Sequence, residues 1–122
     1  MIYQCDAIVV TCIDYRFQKS IHDWLTGRVG YNNYDRVSLA GGVFDLPAVM
    51  RQVEISSRLH QIKRVLLVNH EDCGAYGEAG TPGRHAADLR AAAQKLREQF
   101  PHLKVEAYYL HLSGIFEQVP LG

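Results

Sequence analysis

The sequence predicts an α/β protein with a mostly parallel sheet of four to five strands and helices on the faces of that sheet. Two short segments, residues 7–11 and 65–69, are mainly apolar and rich in β-branched or aliphatic residues, which is typical of strands buried on both faces. Segments with helical spacing of apolar residues follow each of them. Because strands and helices alternate along the chain, we expect parallel strands joined by right-handed crossovers.

The first half of the chain is expected to contain two strands and two helices. The strand at residues 7–11 precedes an amphipathic helix at residues 18–26, whose pattern Gly27 and then Gly30 are expected to stop. The apolar side of this helix consists of Phe17, Ile21, Trp24 and Leu25. A weaker strand at residues 36–39 leads into a glycine pair. A longer helix then begins after an N-cap, Asp45, and reaches about position 60.

The second half continues the alternation. The second buried run is followed by a glycine-rich loop at residues 73–83. Thr81 is a suitable N-cap for the next helix, and Pro101 is expected to end it. A fourth strand is expected within residues 105–112, and a short edge strand within residues 115–119.

Length and composition exclude several classes of protein. A chain of 122 residues suits one domain, so residues 1–122 are expected to form a single domain. Thirteen basic residues balance thirteen acidic ones, which argues against nucleic acid or an anionic membrane surface as a partner. The longest apolar runs are far shorter than the roughly 20 residues of a membrane helix, and the first residues do not resemble a secretion signal. We therefore expect a soluble, cytoplasmic protein.

Two groups of reactive residues follow the two buried strands. Cys12, Asp14 and Arg16 come directly after the first strand, and His70 and Cys73 come after the strand at residues 65–69. Ligands in open parallel sheets gather beyond the carboxyl ends of the strands. If the two strands are neighbours, both groups belong to one site.

The first candidate chemistry is metal binding. Cys12, His70 and Cys73 offer two thiolates and one imidazole, which are ligands that Zn²⁺ prefers. Three protein ligands leave a tetrahedral position open, as in catalytic zinc sites, so we expect one zinc ion per chain. The alternative is that the cysteines are small buried apolar residues and that the histidine is an ordinary core or surface residue.

The two motifs resemble the paired signature of the β-class carbonic anhydrases. The first motif is Cys-x-Asp-x-Arg at residues 12–16, and the second is His-x-x-Cys-Gly at residues 70–74. Residues 40–42, Ala-Gly-Gly, are similar to the Asn-Ala-Gly segment of that family. The resemblance extends over about residues 7–119 and implies the fold of a short, minimal member without the helical arm that precedes the family core.

By position, the resemblance implies that zinc binds to Cys12, His70 and Cys73. It also implies that Asp14 and Arg16 are a catalytic dyad beside the open coordination position. The activity implied is reversible hydration of carbon dioxide to bicarbonate by a zinc-bound hydroxide, because zinc lowers the pKa of bound water from 15.7 to about 7. The carboxylate would orient this hydroxide and the guanidinium would keep the carboxylate ionised; the alternative is an ordinary surface ion pair.

Two other functions stay open. The same zinc site would suit an enzyme acting on a sulfur analogue of carbon dioxide, COS or CS₂. A non-enzymatic zinc-binding module for dimerisation or regulation is favoured by the short chain and by Ser38-Leu39, which stand where the family usually has Arg-Asn. A homodimer, or a larger oligomer built from dimers, is expected because so small a sheet has few helices to cover its faces and edges.

The remaining reactive residues receive less specific predictions. Cys5 is expected to be structural or exposed, and Glu71 and Asp72 to be solvated loop carboxylates. Tyr76 either lines the mouth of the site or packs beneath it. The remaining histidines are expected mostly on helix surfaces; they are His22, His60, His85, His102 and His111.

Overall fold

A computed structural model describes residues 3–122, and within this range the chain forms five strands and three α-helices. The strands are β1 (Ala7–Thr11), β2 (Tyr34–Ser38), β3 (Arg64–His70), β4 (Lys104–Leu110) and β5 (Phe116–Gln118). The helices are α1 (Gln18–Arg28), α2 (Leu46–His60) and α3 (Pro82–Gln99). The predicted alternation of strands and helices is confirmed.

The strands form one sheet in the order β2-β1-β3-β4-β5. The first four strands of that order are parallel, and β5 pairs antiparallel with β4. The predicted class, a mostly parallel sheet in an α/β protein, is therefore confirmed. Because β1 and β3 are direct neighbours, with Val10 opposite Leu67, their carboxyl ends lie side by side.

Helices cover both faces of the sheet. Side chains alternate between the faces along each strand. In β1, Ile8 and Val10 pack with α2 and α3, whereas Val9 packs with Ile21 and Leu25 of α1. This double coverage explains why β1 is apolar without alternation. Within residues 3–122, no helix combines the length and the apolar character that crossing a membrane requires.

Several predicted boundaries differ from the structure. The second strand, predicted at residues 36–39, is Tyr34–Ser38, because it pairs along the full length of β1. Helix α1 continues through Gly27 to Arg28 and ends where Gly30, at φ 104°, donates its N–H to the carbonyl of Leu25 at 3.1 Å. A glycine inside a helix costs only about 1 kcal/mol, which the packing of the apolar side offsets. The last long strand ends at Leu110, because the chain turns immediately afterwards to form the antiparallel pair with β5.

The two predicted caps position the later helices. Asp45 accepts a hydrogen bond from the N–H of Ala48 at 3.4 Å at the start of α2. Thr81 accepts one from the N–H of Arg84 at 3.1 Å at the start of α3. Each cap satisfies a backbone donor that has no partner within the helix. The capped ends fix where the loops that carry the candidate site join the helices.

Candidate metal centre

The carboxyl ends of β1 and β3 bring together three side chains that could hold a metal ion. The sulfur atoms of Cys12 and Cys73 lie 3.9 Å apart, although 61 residues separate them in the sequence. One ligand atom each from Cys12, His70 and Cys73 lies within 4.8 Å of the others, and all three residues are buried. The predicted meeting of the two strand ends is therefore confirmed.

The spacing of the two sulfurs and the orientation of the imidazole fit zinc. Two sulfurs about 2.3 Å from one tetrahedral zinc ion lie about 3.8 Å apart, close to the separation of Cys12 and Cys73. Both cysteines are free thiols. His70 donates its Nδ1–H to the carbonyl of Glu71 at 2.7 Å, which leaves a lone pair on Nε2.

The Nε2 atom of His70 supports the same interpretation. It is buried and, among the described residues, has no hydrogen-bond partner. A buried polar atom without a partner costs free energy unless a ligand satisfies it. A metal ion held with the two sulfurs would satisfy this nitrogen, and the hydrogen bond to the Glu71 carbonyl would fix the orientation of the ring.

Hydrogen bonds favour the thiolate of Cys12. Burial raises the pKa of this thiol. The nearby imidazole of His70 and the backbone N–H of Gly41 lower the pKa by a larger amount, so it falls below its usual value. The Gly41 N–H donates to the Cys12 sulfur at 3.3 Å. Burial raises the pKa of Cys73. Gly41, which adopts a φ of 83°, thus contributes a backbone N–H donor to the site.

Asp14 and Arg16 form an ion pair at the edge of the cluster. Arg16 donates from Nη2 to Oδ2 of Asp14 at 2.7 Å and from its backbone N–H to Oδ1 at 2.9 Å. The side-chain hydrogen bond from Arg16 lowers the pKa of Asp14 to about 2. The Asp14 carboxylate is therefore ionised at neutral pH, with Oδ2 3.8 Å from His70 Nε2.

Arg16 also connects the two loops, which the sequence did not predict. Its Nη1 donates to Oδ2 of Asp72 at 3.1 Å and its Nη2 to the carbonyl of Asp72 at 2.9 Å. Asp72 is mostly exposed, as expected, but it is an ion-pair partner and not only a solvated carboxylate. Glu71 likewise accepts a hydrogen bond from the N–H of Leu112 at 2.9 Å.

A buried polar layer supports the loops from below. Asn69, the last residue of β3 before the histidine, accepts a hydrogen bond from the N–H of Val43 at 3.2 Å and donates to Tyr76 at 3.1 Å. The Tyr76 hydroxyl donates to Asp88 at 2.8 Å. Of the two roles considered for Tyr76, packing beneath the site is the observed one, since this residue forms a buried cluster with Cys12 and Cys73.

The prediction that the remaining histidines lie mostly on helix surfaces is wrong. His22 and His60 lie on helices, but His102 is in the turn between α3 and β4, and His111 follows β4. His85 is on α3 but is fully buried under the site, and its Nδ1 lies 2.9 Å from Asn69 Nδ2. The spacing of apolar residues in α3 did not indicate that His85 is buried, because imidazole is polar. The available signal was Asn69 itself: a polar residue at the end of a doubly buried strand must find buried hydrogen-bond partners.

The cluster is reached from an open groove of about 600 Å³. The groove is lined by Cys12, Ile13, Gln18, His22, Arg36 and Ser38. On the side of the groove formed by β2, the lining residue is Ser38, a short side chain whose hydroxyl lies 3.2 Å from that of Thr11. A small molecule in the groove has direct access to the Cys12 side of the cluster.

Sequence comparison identifies a protein family and two relatives. A protein family described as "Putative carbonic anhydrase" matches residues 3–120. An uncharacterized protein of Rickettsia conorii is 29% identical over 136 residues, covering 95% of this chain and 73% of that protein. One of Rickettsia bellii is 27% identical over 136 residues, covering 95% of this chain and 82% of that protein.

Solved structures agree with the fold. A carbonic anhydrase from Glaciozyma antarctica matches with a TM-score of 0.74 at 15% identity, covering 98% of this chain and 85% of that one. One of two tetrameric β-carbonic anhydrases from Sordaria macrospora matches with a TM-score of 0.67 at 11% identity, covering 98% and 83%. The family match spans almost the whole chain, and the structural matches share its sheet and helices. The chain therefore belongs to the family described as "Putative carbonic anhydrase", and its fold is that of the matched β-carbonic anhydrases.

Proposed function

We propose that the protein binds one zinc ion through Cys12, His70 and Cys73 and catalyses the reversible hydration of carbon dioxide to bicarbonate. The observation that carries the proposal is the buried, unpartnered Nε2 of His70 beside two free thiols and an ionised carboxylate. These groups offer three metal ligands and one hydrogen-bond acceptor at the same place. Family membership supports the same activity.

The residues around the cluster have separate roles in this proposal. Zinc, when bound, supplies the Lewis acidity that makes water a nucleophile near neutral pH. Asp14 accepts a hydrogen bond from the attacking nucleophile and orients its lone pair. Arg16 keeps the Asp14 carboxylate ionised and holds it in place through a bidentate contact, from Nε to Oδ1 and from Nη2 to Oδ2. Phe17, whose ring centroid lies 4.5 Å from that of His70, limits the access of water to the imidazole.

A small, uncharged substrate suits the approach to the cluster. The groove is lined by polar and cationic side chains at Gln18 and Arg36 and by the apolar Ile13, but it contains no deep apolar cavity for a large ligand. Bicarbonate, the charged product, is compatible with the Arg36 side of the groove.

The deciding experiment is stopped-flow measurement of carbon dioxide hydration on protein whose zinc content has been verified. Turnover well above the buffer rate is expected. Hydrolysis of COS or CS₂ without carbon dioxide hydration would transfer the proposal to the sulfur analogues. Zinc-loaded protein that turns over neither class of substrate would contradict an enzymatic role and favour a binding module.

We also infer that the active form is a homodimer or an assembly of dimers. Large apolar side chains are exposed around the site, among them Ile13, Tyr15 and Ile115, with exposed fractions of 60%, 80% and 65%. β2 lies at the edge of the sheet, with one side unpaired within residues 3–122. A matched structure from Sordaria macrospora is described as tetrameric. Light scattering on active protein tests this inference, and the mass of a single chain would contradict it.

The state of the cysteines supports a cytoplasmic location as part of the proposal. Cys5, Cys12 and Cys73 are all free thiols. A reducing compartment preserves thiols for metal binding, whereas an oxidising one favours disulfides. Cys12 and Cys73, 3.9 Å apart, would be exposed to oxidation without such protection or without a bound metal.

A further inference from the structure

A second cluster of metal-binding side chains lies at the other end of β1. One ligand atom each from Cys5, Asp35 and His60 lies within 4.8 Å of the others. Cys5 precedes β1, Asp35 lies in β2 and His60 is the last residue of α2. This cluster is at the amino ends of the strands, whereas Cys12 and Cys73 follow their carboxyl ends. The two clusters share no residue.

The backbone holds these three residues in place. The N–H of Cys5 donates to the carbonyl of His60 at 3.2 Å, which ties the segment before β1 to the end of α2. Asp35 lies opposite Ile8 in the parallel pair of β1 and β2. The buried hydroxyl of Ser56 donates to Oδ2 of Asp35 at 2.6 Å and so orients the carboxylate. The cluster is therefore built by three elements and not by one flexible loop.

The charge of Asp35 is not neutralised by a permanent cation. Asp6 is paired with Arg64, and Asp14 is paired with Arg16. In the described part of the chain, by contrast, no lysine or arginine nitrogen lies within 4.0 Å of the Asp35 carboxylate, which pairs only with His60. An oriented carboxylate without a fixed cation, beside a thiol and an imidazole, is an arrangement that favours a divalent metal ion.

We propose that Cys5, Asp35 and His60 form a second divalent-metal site, of the class that takes Zn²⁺ or Co²⁺. A thiolate, an imidazole and a carboxylate are each established zinc ligands. His60 Nδ1 and Asp35 Oδ2 are 2.7 Å apart, and two such ligands on one tetrahedral metal lie about 3.3 Å apart, so metal binding would separate them by only about 0.6 Å.

The site is accessible to metal from solvent. A groove of about 220 Å³ is lined by Asp35, Ser56 and His60, and a second groove is lined by Cys5. His60 and Asp35 are partly exposed, so water completes the coordination of the metal. With one thiolate and two partly exposed ligands, this site binds metal more weakly than the buried pair of thiolates at Cys12 and Cys73 does. We expect it to lose metal on dialysis and to refill on addition.

The test is a Co²⁺ titration of the full chain after zinc loading and dialysis, followed by thiolate-to-cobalt charge-transfer absorption. Zinc content in the same samples distinguishes an added ion from one that has displaced zinc. One further Co²⁺ ion per chain, with a thiolate band, is expected. Cys5→Ala and His60→Ala should each weaken this binding at least tenfold, while His102→Ala, which changes an exposed histidine outside the cluster, leaves it unchanged.

A second measurement is thermal unfolding, because an ion that binds only the folded chain raises Tm with its concentration. Added Zn²⁺ should raise Tm in dialysed wild-type protein and in Cys73→Ser, but not in Cys5→Ala. If Cys5→Ala does not fold, Asp35→Asn takes its place and should likewise show no rise in Tm. Absence of a further Co²⁺ ion, a further ion without a thiolate band, or equal Tm shifts in all these proteins would overturn the proposal. Neither measurement depends on turnover of carbon dioxide.

Discussion

Gly42 lies directly against Asn69, so that a Cβ atom on Gly42 would be 2.5 Å from Asn69 Oδ1. The same oxygen accepts a hydrogen bond from the N–H of Val43, and the Asn69 amide nitrogen contacts Tyr76 and His85. Asn69 therefore has no free direction in which to move. The glycine also adopts φ 59°, a conformation that an L-amino acid avoids. The close contact holds the loop after β2 against the end of β3, where His70 begins the site.

Gly42→Ala is expected to destabilise the protein by about 2–4 kcal/mol, since backbone strain and overpacking each cost about 1–3 kcal/mol. The matched control is Gly27→Ala. Gly27 lies in α1 with open space around its Cα, so alanine there should stabilise by up to about 1 kcal/mol. Urea unfolding of both variants checks the prediction. Equal stability of the two variants would show that the contact with Asn69 is not constraining.

Glu106 is a buried carboxylate on the α1 face of the sheet. It accepts hydrogen bonds from the Tyr108 hydroxyl at 2.6 Å and from Arg28 at 3.1 Å, and Arg64 lies 3.7 Å from its other oxygen. Burial raises the pKa of Glu106, but these hydrogen bonds and charges outweigh burial and lower it below the usual value. The ionised form is thus the one that the folded protein stabilises.

The lowered pKa of Glu106 fixes the direction of a pH effect. A group whose pKa is lowered on folding stabilises the protein above its unfolded pKa, about 4.3, and this contribution is lost as pH falls through the lower folded value. Glu106→Gln should therefore cost about 1–3 kcal/mol at pH 7, and the difference from wild type should shrink below about pH 4. The difference in the free energy of unfolding between variant and wild type is measured by denaturant unfolding at pH 7 and below about pH 4. The control is Glu78→Gln, which changes an exposed glutamate. A difference that grows on acidification would refute the assigned cause.

The sequence was most informative where one physical effect dominated. The bounds of β1 follow from its continuous apolar run, and the meeting of Cys12 with Cys73 follows from parallel neighbours. It was least informative where a contact depends on the conformation of a loop or on the side of a helix that faces the sheet. The pairing of Arg16 with Asp72 and the burial of His85 beside Asn69 depend on loop and helix placement, which local patterns do not encode.

Cys73→Ser should abolish tight zinc binding, because a serine hydroxyl replaces one of two thiolates. Wild-type protein is expected to retain about one zinc ion per chain after dialysis against metal-free buffer, and the variant close to none. Cys5→Ala is the matched control and should retain the ion, since Cys5 lies at the opposite end of β1. Elemental analysis of the three proteins is the measurement. Full zinc retention by Cys73→Ser would remove this residue from the proposed ligand set.

Asp14→Asn separates the carboxylate from the metal ligands. The variant keeps the size of the side chain and leaves Cys12, His70 and Cys73 unchanged, so zinc content should match wild type. Carbon dioxide hydration should fall by roughly a hundredfold or more, the usual contribution of a positioned acid–base group, because an amide is a weaker and differently oriented acceptor. The comparison variant is Asp72→Asn, which alters only the mostly exposed partner of Arg16 and should reduce turnover less than about tenfold. Stopped-flow rates and zinc content, measured on the same samples, test both expectations. If zinc-loaded Asp14→Asn hydrated carbon dioxide at the wild-type rate, the Asp14 carboxylate that Arg16 holds would have no part in the reaction.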